Sequence, residues 1–333
     1  MILEKYWRAF TTVYQPFERK AQRFFDIIQP DARRIFHGRG HLYPGLEYLS
    51  VDWFAPVVLI TTYAEIDQPN QLVDILLQAD KFEQISCILL QHRKRKGTPS
   101  ECLYGVSINQ TTIKENGLNY EVQPGVNQNA GLFLDMAPLR QWLRQNSKEK
   151  NILNLFAYTC SLSVAALAGD ARQVVNVDMS KPSINWGQRN HEINNQDLRR
   201  VRSIPHNLFR SWGRIKQFGR YDTIIIDPPT RQRGSFDAEK NYGAVLKKLK
   251  ALTTERSNII ATINSPYLNE DFLPNMVQRY SPNLKQIERL PIAPEFAPVI
   301  CSPISKSVVP PSTVLIDDNV IFGADGSLVS VDS

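Results

Sequence analysis

The chain has 333 residues, a length that suits one large domain or two moderate ones and leaves room for a substantial core. Its hydrophobic content of 42% and charged content of 22% are ordinary for a soluble globular protein. No run approaches the ~20 apolar residues that span a bilayer. The first ten residues, MILEKYWRAF, include an acid and lack a continuous apolar core, so we expect a cytoplasmic protein with no secretory signal and no membrane partner.

Cysteine and histidine patterns argue against metal sites and disulfide frameworks. The chain has four cysteines that are far apart and form no Cys-x-x-Cys pair: Cys87, Cys102, Cys160 and Cys301. His37 and His41 have the spacing of helical zinc ligands, but the glycines in HGRGH argue against a helix there. We therefore predict reduced thiols and no bound metal.

The net charge of +6 permits a nucleic-acid partner without requiring one. Basic residues cluster at 93–96, at 199–202, and at Arg231 with Arg233. The first two runs are as readily a solvated surface as a functional one. The third is the best candidate for a functional role, because it follows the segment DPPT directly.

The first part of the chain predicts helices followed by short strands. Residues 1–32 place aromatic and charged residues at roughly helical spacing, which indicates a helical extension that packs on the body of the protein. From 33 to 120, VDWFAPVVLITTYA resembles a strand pair broken at Pro56, QLVDILLQADKF has helical periodicity, SCILLQH resembles a strand, and ENGLNYEV carries an Asn-Gly turn. This stretch predicts a small α+β domain.

Strands and helices alternate from 121 to 297. NILNLFAY, QVVNVD, VRSIPHN, TIIID and NIIATIN are apolar, strand-like runs, and segments of helical character separate them, including 181–195, 240–252 and 269–279. Alternation at this spacing predicts an α/β domain with a doubly wound, mainly parallel sheet. Residues 298–333 form a tail rich in Pro and Ser, in which TVLID and NVIFG resemble strands.

The segment YDTIIIDPPT places an acid and two prolines at the end of a buried strand. Asp227 stands at the carboxyl end, where open α/β sheets place their ligands. Pro228 and Pro229 stop the strand and stiffen the turn, so nearby carbonyls point in fixed directions without a competing N–H. Such a corner suits a planar amine or a nucleobase edge. Taken alone, the segment is equally well explained as a turn.

Three further segments should meet Asp227 at the same edge of the sheet. The first is the turn at residues 157–161, which leads into a helix and offers backbone N–H groups and the helix dipole to a nucleotide-like ligand. Asp178 ends the next strand, where an acid grips a ribose diol. Asn207 follows the third strand, and its amide suits an adenine edge.

With these segments in place, residues 33–295 resemble the class I S-adenosylmethionine-dependent methyltransferases. They are similar in particular to the bacterial large-subunit ribosomal RNA methyltransferases of the I and K types. The resemblance is carried by FHGRGHLYPGL, GLFLDMAPLR, NLFAYTCSLSVAALAG, VDMS and DPPT. It implies a Rossmann-like methyltransferase sheet, S-adenosylmethionine as cofactor, and an RNA partner, 23S ribosomal RNA or a pre-ribosome; a homodimer is left open.

The resemblance also implies roles for individual residues. The catalytic group comprises Asp227, Pro228, Pro229 and Asn264. Residues that bind the cofactor comprise Phe133, Asp135, Arg140, Asn154, Phe156, Ala157, Tyr158, Thr159, Cys160, Ser161, Asp178, Met179, Asn207, Leu208 and Asp227. Substrate-binding residues comprise Thr230, Arg231, Arg233 and Tyr267.

Departures from the family pattern narrow the chemistry. Cys160 and Ser161 stand where the family usually has glycine, so a Cβ is expected to crowd the methionine part of the cofactor. Asn207 replaces an acid at the adenine contact. Methylation of cytosine C5 needs a cysteine at the end of the fifth strand, where this chain reads TINSPYL. The chain therefore resembles the guanine-directed K type more closely, and we expect N-methylation of a base in RNA. Thr230 replaces a common stacking aromatic, for which Tyr267, Phe236 or Tyr242 are the candidates, although each is equally well explained as a core residue.

Three rival functions remain at this point. A nicotinamide-dependent oxidoreductase shares the turn and the acid after the second strand, but the first turn lacks GxGxxG. A catalytically degenerate RNA-binding or assembly protein would fit the altered cofactor loop. A protein methyltransferase would also use a DPP corner, to hold a side-chain amide.

Overall fold

The computed structural model describes residues 13–39, 42–229, 231–232, 236–264, 268, 271–296 and 317–323. The chain divides into two compact units, Met1–Leu134 with Ala293–Thr313 and Asp135–Ile292 with Val314–Ser333. The predicted extension before residue 13 and the tail residues 298–316 and 324–333 lie outside the described residues.

The described part of the first unit contains strands β1 (Arg33–His37), β2 (Leu49–Phe54), β3 (Val57–Thr62), β4 (Cys87–His92), β5 (Ser100–Gly105), β6 (Thr111–Glu115) and β7 (Leu118–Val122). The first five form a sheet in chain order, in which β3 and β4 are parallel and the other neighbours are antiparallel. β2, β3 and β4 are buried along their whole length, as their continuous apolar sequences require.

A separate hairpin joins β6 to β7 through the predicted turn. Asn116 and Gly117 have φ angles of 50° and 76°, the left-handed conformation that a tight hairpin turn needs. The strand pair β2 and β3 is interrupted at Pro56, as its sequence indicates, and the bond from Ala55 to Pro56 is cis.

Among its described residues, the first unit has two α-helices that pack on it, α1 (Gln15–Phe24) and α2 (Asn70–Ala79). Phe17 and Ala21 of α1 and Phe25 just after it are fully buried, at the i, i+4, i+8 spacing of one helix face. The ring of Phe25 meets that of Trp53 edge-on at 5.5 Å. The described part of the predicted extension therefore belongs to the core of the first unit.

The first unit continues beyond the predicted boundary at residue 120. Residues 123–130 remain attached to it, because Gln91 donates to the Asn127 carbonyl at 2.9 Å and Ser100 donates to the Gly125 carbonyl at 2.7 Å. The division between the units therefore falls after Leu134. Hydrogen bonds from side chains to a loop carry no periodic pattern, so the sequence did not indicate this boundary.

The described part of the second unit contains strands β8 (Asn151–Leu155), β9 (Gln173–Val177), β10 (Val201–Ile204), β11 (Tyr221–Ile226), β12 (Arg231–Gln232), β13 (Phe236–Asp237), β14 (Thr253–Asn264), β15 (Lys285–Arg289) and β16 (Asp317–Gly323). Its helices are α3 (Ala137–Asn146), α4 (Ser161–Ala168), α5 (Lys181–Glu192), α6 (Trp212–Gln217), α7 (Ala238–Leu246) and α8 (Phe272–Tyr280). The seven-stranded sheet has the order β10-β9-β8-β11-β14-β16-β15. Neighbours from β10 to β14 are parallel, which confirms the predicted α/β class.

The sheet closes with an antiparallel pair that the sequence analysis did not recognise. β16 lies between β14 and β15 and is antiparallel to both. It contains NVIFG, which we assigned to a separate tail on account of the Pro- and Ser-rich residues before it. Pairing along β14, from Asn258 with Gly323 to Asn264 with Asp317, fixes its register. Among helices of the described residues, none has the length and apolar character that would span a membrane.

The register brings the ends of the parallel strands to one level. Leu155 of β8 pairs with Val177 of β9 and with Ile226 of β11, and Ile226 pairs with Ala261 of β14. The residues that follow these positions must emerge side by side at the carboxyl edge. The strand order reverses next to β8, which is where a doubly wound sheet forms a ligand crevice.

Candidate active site

The loop from Phe156 to Cys160 follows β8 and leads into α4. Its backbone is anchored to the neighbouring strand: the Ala157 N–H donates to the Val177 carbonyl at 3.0 Å, and the Tyr158 N–H donates to Asp178 Oδ2 at 2.9 Å. Phe156, Tyr158 and Cys160 have φ angles of 60°, 46° and 60°. Non-glycine residues rarely adopt this left-handed conformation, so the surrounding structure must hold the loop.

Asp178 ends β9 and is already bonded to the chain on both carboxylate oxygens. Oδ2 accepts from Tyr158, and Oδ1 accepts from the Ser180 N–H at 2.8 Å. Burial raises the pKa of Asp178, while the hydrogen bonds from Ser180 and Tyr158 act in the opposite direction. Each carboxylate oxygen has a second lone pair, so the group can still accept two hydroxyls of a ribose.

A half-open cleft lies beside Asp178. Asn207 Oδ1 accepts the Phe209 N–H at 2.9 Å, so the amide oxygen is turned toward its own backbone and the Nδ2 group remains for a ligand. Leu208 is buried and Met179 is 45% exposed. The cleft is lined by Phe156, Val177, Asp178, Met179, His206, Asn207, Leu208 and Phe209. Apolar walls together with an acid and an amide fit an adenosine group.

Cys160 packs away from solvent, against helix α5. Its side chain is 1% exposed and packs in one cluster with Ala157 and with Ile184 of α5. It points toward Gly187 of α5, where an added Cβ would lie 2.3 Å from Cys160 Sγ. Burial raises the pKa of the thiol well above its ordinary value, so Cys160 remains protonated at neutral pH. Ser161, also in place of a family glycine, is the first residue of α4.

Asp227 lies at the end of β11, half-buried, next to Thr262 of β14. Thr262 Oγ1 donates to Asp227 Oδ1 at 2.5 Å. Burial raises the pKa of Asp227 to about 6; the Thr262 bond and the charge of Arg140 lower it, and the charge of Asp135 raises it further. Two other predicted residues, Asp135 and Arg140, thus lie close enough to Asp227 for their charges to affect its pKa. Pro228 is buried and Pro229 is exposed.

Tyr242 and Phe236, two candidates for base stacking, are core residues. Tyr242 is fully buried, and its hydroxyl donates to the Ile226 carbonyl at 3.3 Å and to the Thr262 carbonyl at 3.2 Å. Phe236 is 3% exposed and packs against Phe156, with ring centroids 4.9 Å apart. Tyr242 therefore ties the ends of β11 and β14 together beneath Asp227. Its aromatic sequence context did not distinguish this role from stacking.

A chain of polar side chains runs under the loop from Asn154, which is 1% exposed. Asn154 donates to Asn176 at 2.9 Å, Asn176 donates to Ser163 at 3.0 Å, and Ser163 lies 3.0 Å from His191 Nε2. Burial lowers the pKa of His191 to about 4, so its ring is neutral at neutral pH. Asn154 is thus placed to support the loop from below, and its predicted contact with the cofactor stays a prediction.

The remaining predicted residues are described in part or not at all. Phe133 belongs to the first unit and is 42% exposed. Asn264 is the last residue of β14, and Arg231 pairs through its backbone with Asp237 in the hairpin β12–β13. Thr159 is 1% exposed, and its carbonyl accepts from Asn190. Three residues lie outside the described part of the chain: Thr230, Arg233 and Tyr267.

The first two basic runs contain residues that are already paired. Arg95 forms an ion pair with Glu65, and Arg199 forms one with Asp197 at 2.9 Å. Such exposed pairs are typical of a solvated surface. Within the described ranges, no group of three or more His, Cys, Asp or Glu side chains is arranged to hold a metal ion.

Sequence reasoning missed Thr262, Gly187 and Asn190. Thr262 was detectable in principle, since a parallel neighbour of β11 must bring one of its last residues level with Asp227. Gly187 and Asn190 lie inside a predicted helix whose register against the loop has no signature in the sequence.

Comparison with known proteins gives consistent results. A family model described as S-adenosylmethionine-dependent methyltransferase matches residues 33–309. The ribosomal RNA large subunit methyltransferase K/L of Hahella chejuensis is 28% identical over 234 residues, which are 65% of this chain and 32% of that protein. The chain thus spans about a third of the length of this curated relative.

Solved structures agree with the fold. The crystal structure of SMU.776 complexed with SAH superposes with a TM-score of 0.77 at 23% identity and covers 95% of this chain and 81% of that one. The S-adenosylmethionine-dependent methyltransferase of Agrobacterium tumefaciens gives a TM-score of 0.64 at 15% identity, covering 89% and 90%. Together these findings confirm the predicted family, fold class and cofactor.

Proposed function

The chain belongs to the S-adenosylmethionine-dependent methyltransferase family, and from that premise we propose that it methylates a nitrogen of a base in RNA. RNA as the substrate class is supported by relatives named ribosomal RNA large subunit methyltransferase K/L. The observation that carries the nitrogen assignment is Asp227, held by Thr262 at the carboxyl edge of the sheet, in a unit whose one cysteine is buried and protonated.

The residues present fit the cofactor. Asp178 would hold the ribose diol, and Asn207 with Leu208 would face the adenine in the cleft. Ala157, Tyr158 and Thr159 would lie along the methionine part. When bound, S-adenosylmethionine supplies a methyl group that is already activated, so the protein mainly has to align a nucleophile with it.

In this proposal Asp227 orients an amine. Its ionised carboxylate would accept one N–H of the amine, and the Pro228 carbonyl would accept the other. With both hydrogens directed to acceptors, the nitrogen lone pair would form the new N–C bond as the bond between the methyl group and sulfur breaks. The proton that the amine loses would pass to the Asp227 carboxylate and from there to solvent. Thr262 keeps Asp227 in place through the 2.5 Å hydrogen bond.

Carbon methylation would require different residues. Attack on cytosine needs a thiolate, and the residues at the end of β14 read TINSP, without cysteine. Cys160 is 1% exposed and directed toward α5. Both observations support nitrogen over carbon as the acceptor.

The finer assignments complete the proposal. Asn264, at the end of β14, would line the site where Asp227 and the Pro228 carbonyl hold the amine. Thr230, Arg231, Arg233 and Tyr267 would contact the RNA beyond it. The proposed RNA is 23S ribosomal RNA, free or in a pre-ribosome, and a homodimer stays a prediction.

The test uses unmodified large-subunit ribosomal RNA and radiolabelled S-adenosylmethionine, followed by nucleoside analysis. We expect an N-methylated nucleoside with the parent protein and none with Asp227→Ala. Asp170→Asn, an exposed acid in the same unit, serves as the control for loss of one charge.

Two results would contradict the proposal. One is a methylated nucleoside with Asp227→Ala at the parental level, and the other is 5-methylcytosine as the product. Calorimetric titration with S-adenosylmethionine tests the rival interpretation of a degenerate enzyme, since that protein would give no binding heat even at high cofactor concentration.

A further inference from the structure

The loop at residues 156–160, which we call the cofactor loop, is held in an unfavourable backbone conformation. Phe156, Tyr158 and Cys160, three of five consecutive residues, have φ between 46° and 60°. Glycine adopts this conformation at no cost, whereas a residue with a Cβ needs external support to remain in it. Residue 160 is a cysteine, so neighbouring parts of the structure must supply that support.

Helix α5 provides the support along one face. Ile184 packs against Ala157 and Cys160 in a buried cluster. One turn later, Gly187 faces Cys160: a Cβ built on Gly187 would lie 2.3 Å from Cys160 Sγ, 2.7 Å from Cys160 Cβ and 3.2 Å from the Thr159 backbone. Positions 184 and 187 are three residues apart and share a helix face.

One turn further along the same face, the helix also bonds to the loop. Asn190 is completely buried, and its Nδ2 donates to the Thr159 carbonyl at 2.9 Å. Three positions on one helix face therefore fix the loop against the helix. Ile184 supplies side-chain volume, Gly187 leaves room for Cys160, and Asn190 supplies a hydrogen bond. The contacts at 187 are too close to accept a Cβ without moving the loop.

We propose that Gly187 and Asn190 are positioning residues for cofactor binding, and that Cys160 and Gly187 form a matched pair. In this pair the helix glycine makes room for the Cys160 side chain. The loop then keeps its backbone conformation beside Asp178 although it contains Cys160. This inference concerns binding of the cofactor and does not depend on RNA being the substrate.

The test is a double-mutant cycle read by calorimetry with S-adenosylhomocysteine, at a temperature where each variant is folded by circular dichroism. Gly187→Ala should weaken binding by about tenfold or more, since overpacking of this size displaces the backbone that it meets. Cys160→Gly alone supplies the remaining corner of the cycle. The double variant Cys160→Gly/Gly187→Ala should recover affinity to within about threefold of the parent, because the two nearest atoms, Cys160 Sγ and Cβ, are gone.

Gly213 offers a matched control. It lies in helix α6, and a Cβ there meets no atom within 4 Å. Gly213→Ala should leave affinity unchanged and raise Tm slightly, as alanine replaces glycine in a helix. A role of Gly187 in stability alone would lower Tm without changing the affinity of the folded variant.

The proposal is overturned if Gly187→Ala binds as tightly as the parent, or if the double variant binds no better than Gly187→Ala. If Gly187→Ala does not fold, the double variant decides. A folded double variant that binds the ligand supports the matched pair, whereas a double variant that also fails to fold, when Cys160→Gly folds, refutes it.

Discussion

Replacement of Asp227 by asparagine should change methyl transfer and the stability of the folded chain in opposite directions. The folded protein holds the carboxylate in a half-buried position, which raises its pKa from the ordinary value of 3.8 to about 6. The side-chain amide of the variant Asp227→Asn would be neutral at all pH values and could still accept the hydrogen bond from Thr262. The variant should therefore lose methyl transfer and gain stability at neutral pH.

The sign follows from proton linkage. Between the two pKa values the folded chain keeps a proton that the unfolded chain has lost, so the free energy of unfolding of the parent falls as the pH rises through this window. The whole effect is up to about 3 kcal/mol, since one pKa unit corresponds to about 1.4 kcal/mol. About half of it, ~1.4 kcal/mol, develops between about pH 5 and pH 8.

Urea denaturation of the full chain measures this difference. Trp142, Trp186 and Trp212 report on the second unit. The advantage of Asp227→Asn over the parent should grow by ~1.4 kcal/mol from about pH 5 to pH 8. Asp170→Asn is the matched control for loss of one carboxylate, because Asp170 is exposed and has a left-handed backbone that asparagine also tolerates. An advantage of Asp227→Asn that is independent of pH would refute the raised pKa, and retained methyl transfer would refute the catalytic role.

Three other outcomes follow from the same geometry. Methyl transfer should fall about tenfold per pH unit below about pH 6, as Asp227 becomes protonated. Thr262→Val removes the hydrogen bond that lowers the pKa of Asp227, so this acidic fall in rate should move to higher pH, whereas Thr262→Ser should leave it in place. An unchanged pH profile in the valine variant would contradict the assignment. Asn207→Asp keeps the cap on the Phe209 N–H and adds a charged acceptor for an adenine amino group, so calorimetry should show tighter cofactor binding. Asn207→Ala loses the cap and the polar side chain, so it should bind the cofactor more weakly than the parent. Cys160 should resist a thiol reagent in the folded chain, while exposed Cys102 reacts; rapid modification of Cys160 would contradict its buried position.

Much of the second unit could be predicted because parallel strands leave a strong pattern. Continuous apolar runs such as TIIID are buried on both faces, and the residue after each run must appear at the carboxyl edge. That rule alone located Asp178 and Asp227. It required no knowledge of side-chain packing, since the strand register carries both residues to the same level.

What the sequence did not predict depends on side-chain packing. Tyr242 was a candidate for stacking, yet its hydroxyl binds two carbonyls in the core. The Cys160 side chain turns toward Gly187, a direction that has no signature in the sequence. The strand β16 was hidden because a long Pro- and Ser-rich segment separates it from the sheet that it joins. Each depends on a partner distant in sequence, which local patterns do not specify.

The altered cofactor loop therefore has a different meaning in the structure than in the sequence. Substitution of a family glycine by cysteine first suggested a degenerate site. A loop that no longer bound a ligand could relax into ordinary backbone angles, and each left-handed residue that relaxed would regain about 1 kcal/mol or more. Instead Phe156, Tyr158 and Cys160 all remain left-handed, and α5 fits around Cys160 through a glycine. Strain that is kept, and accommodated by a neighbouring helix, favours a loop that still binds S-adenosylmethionine.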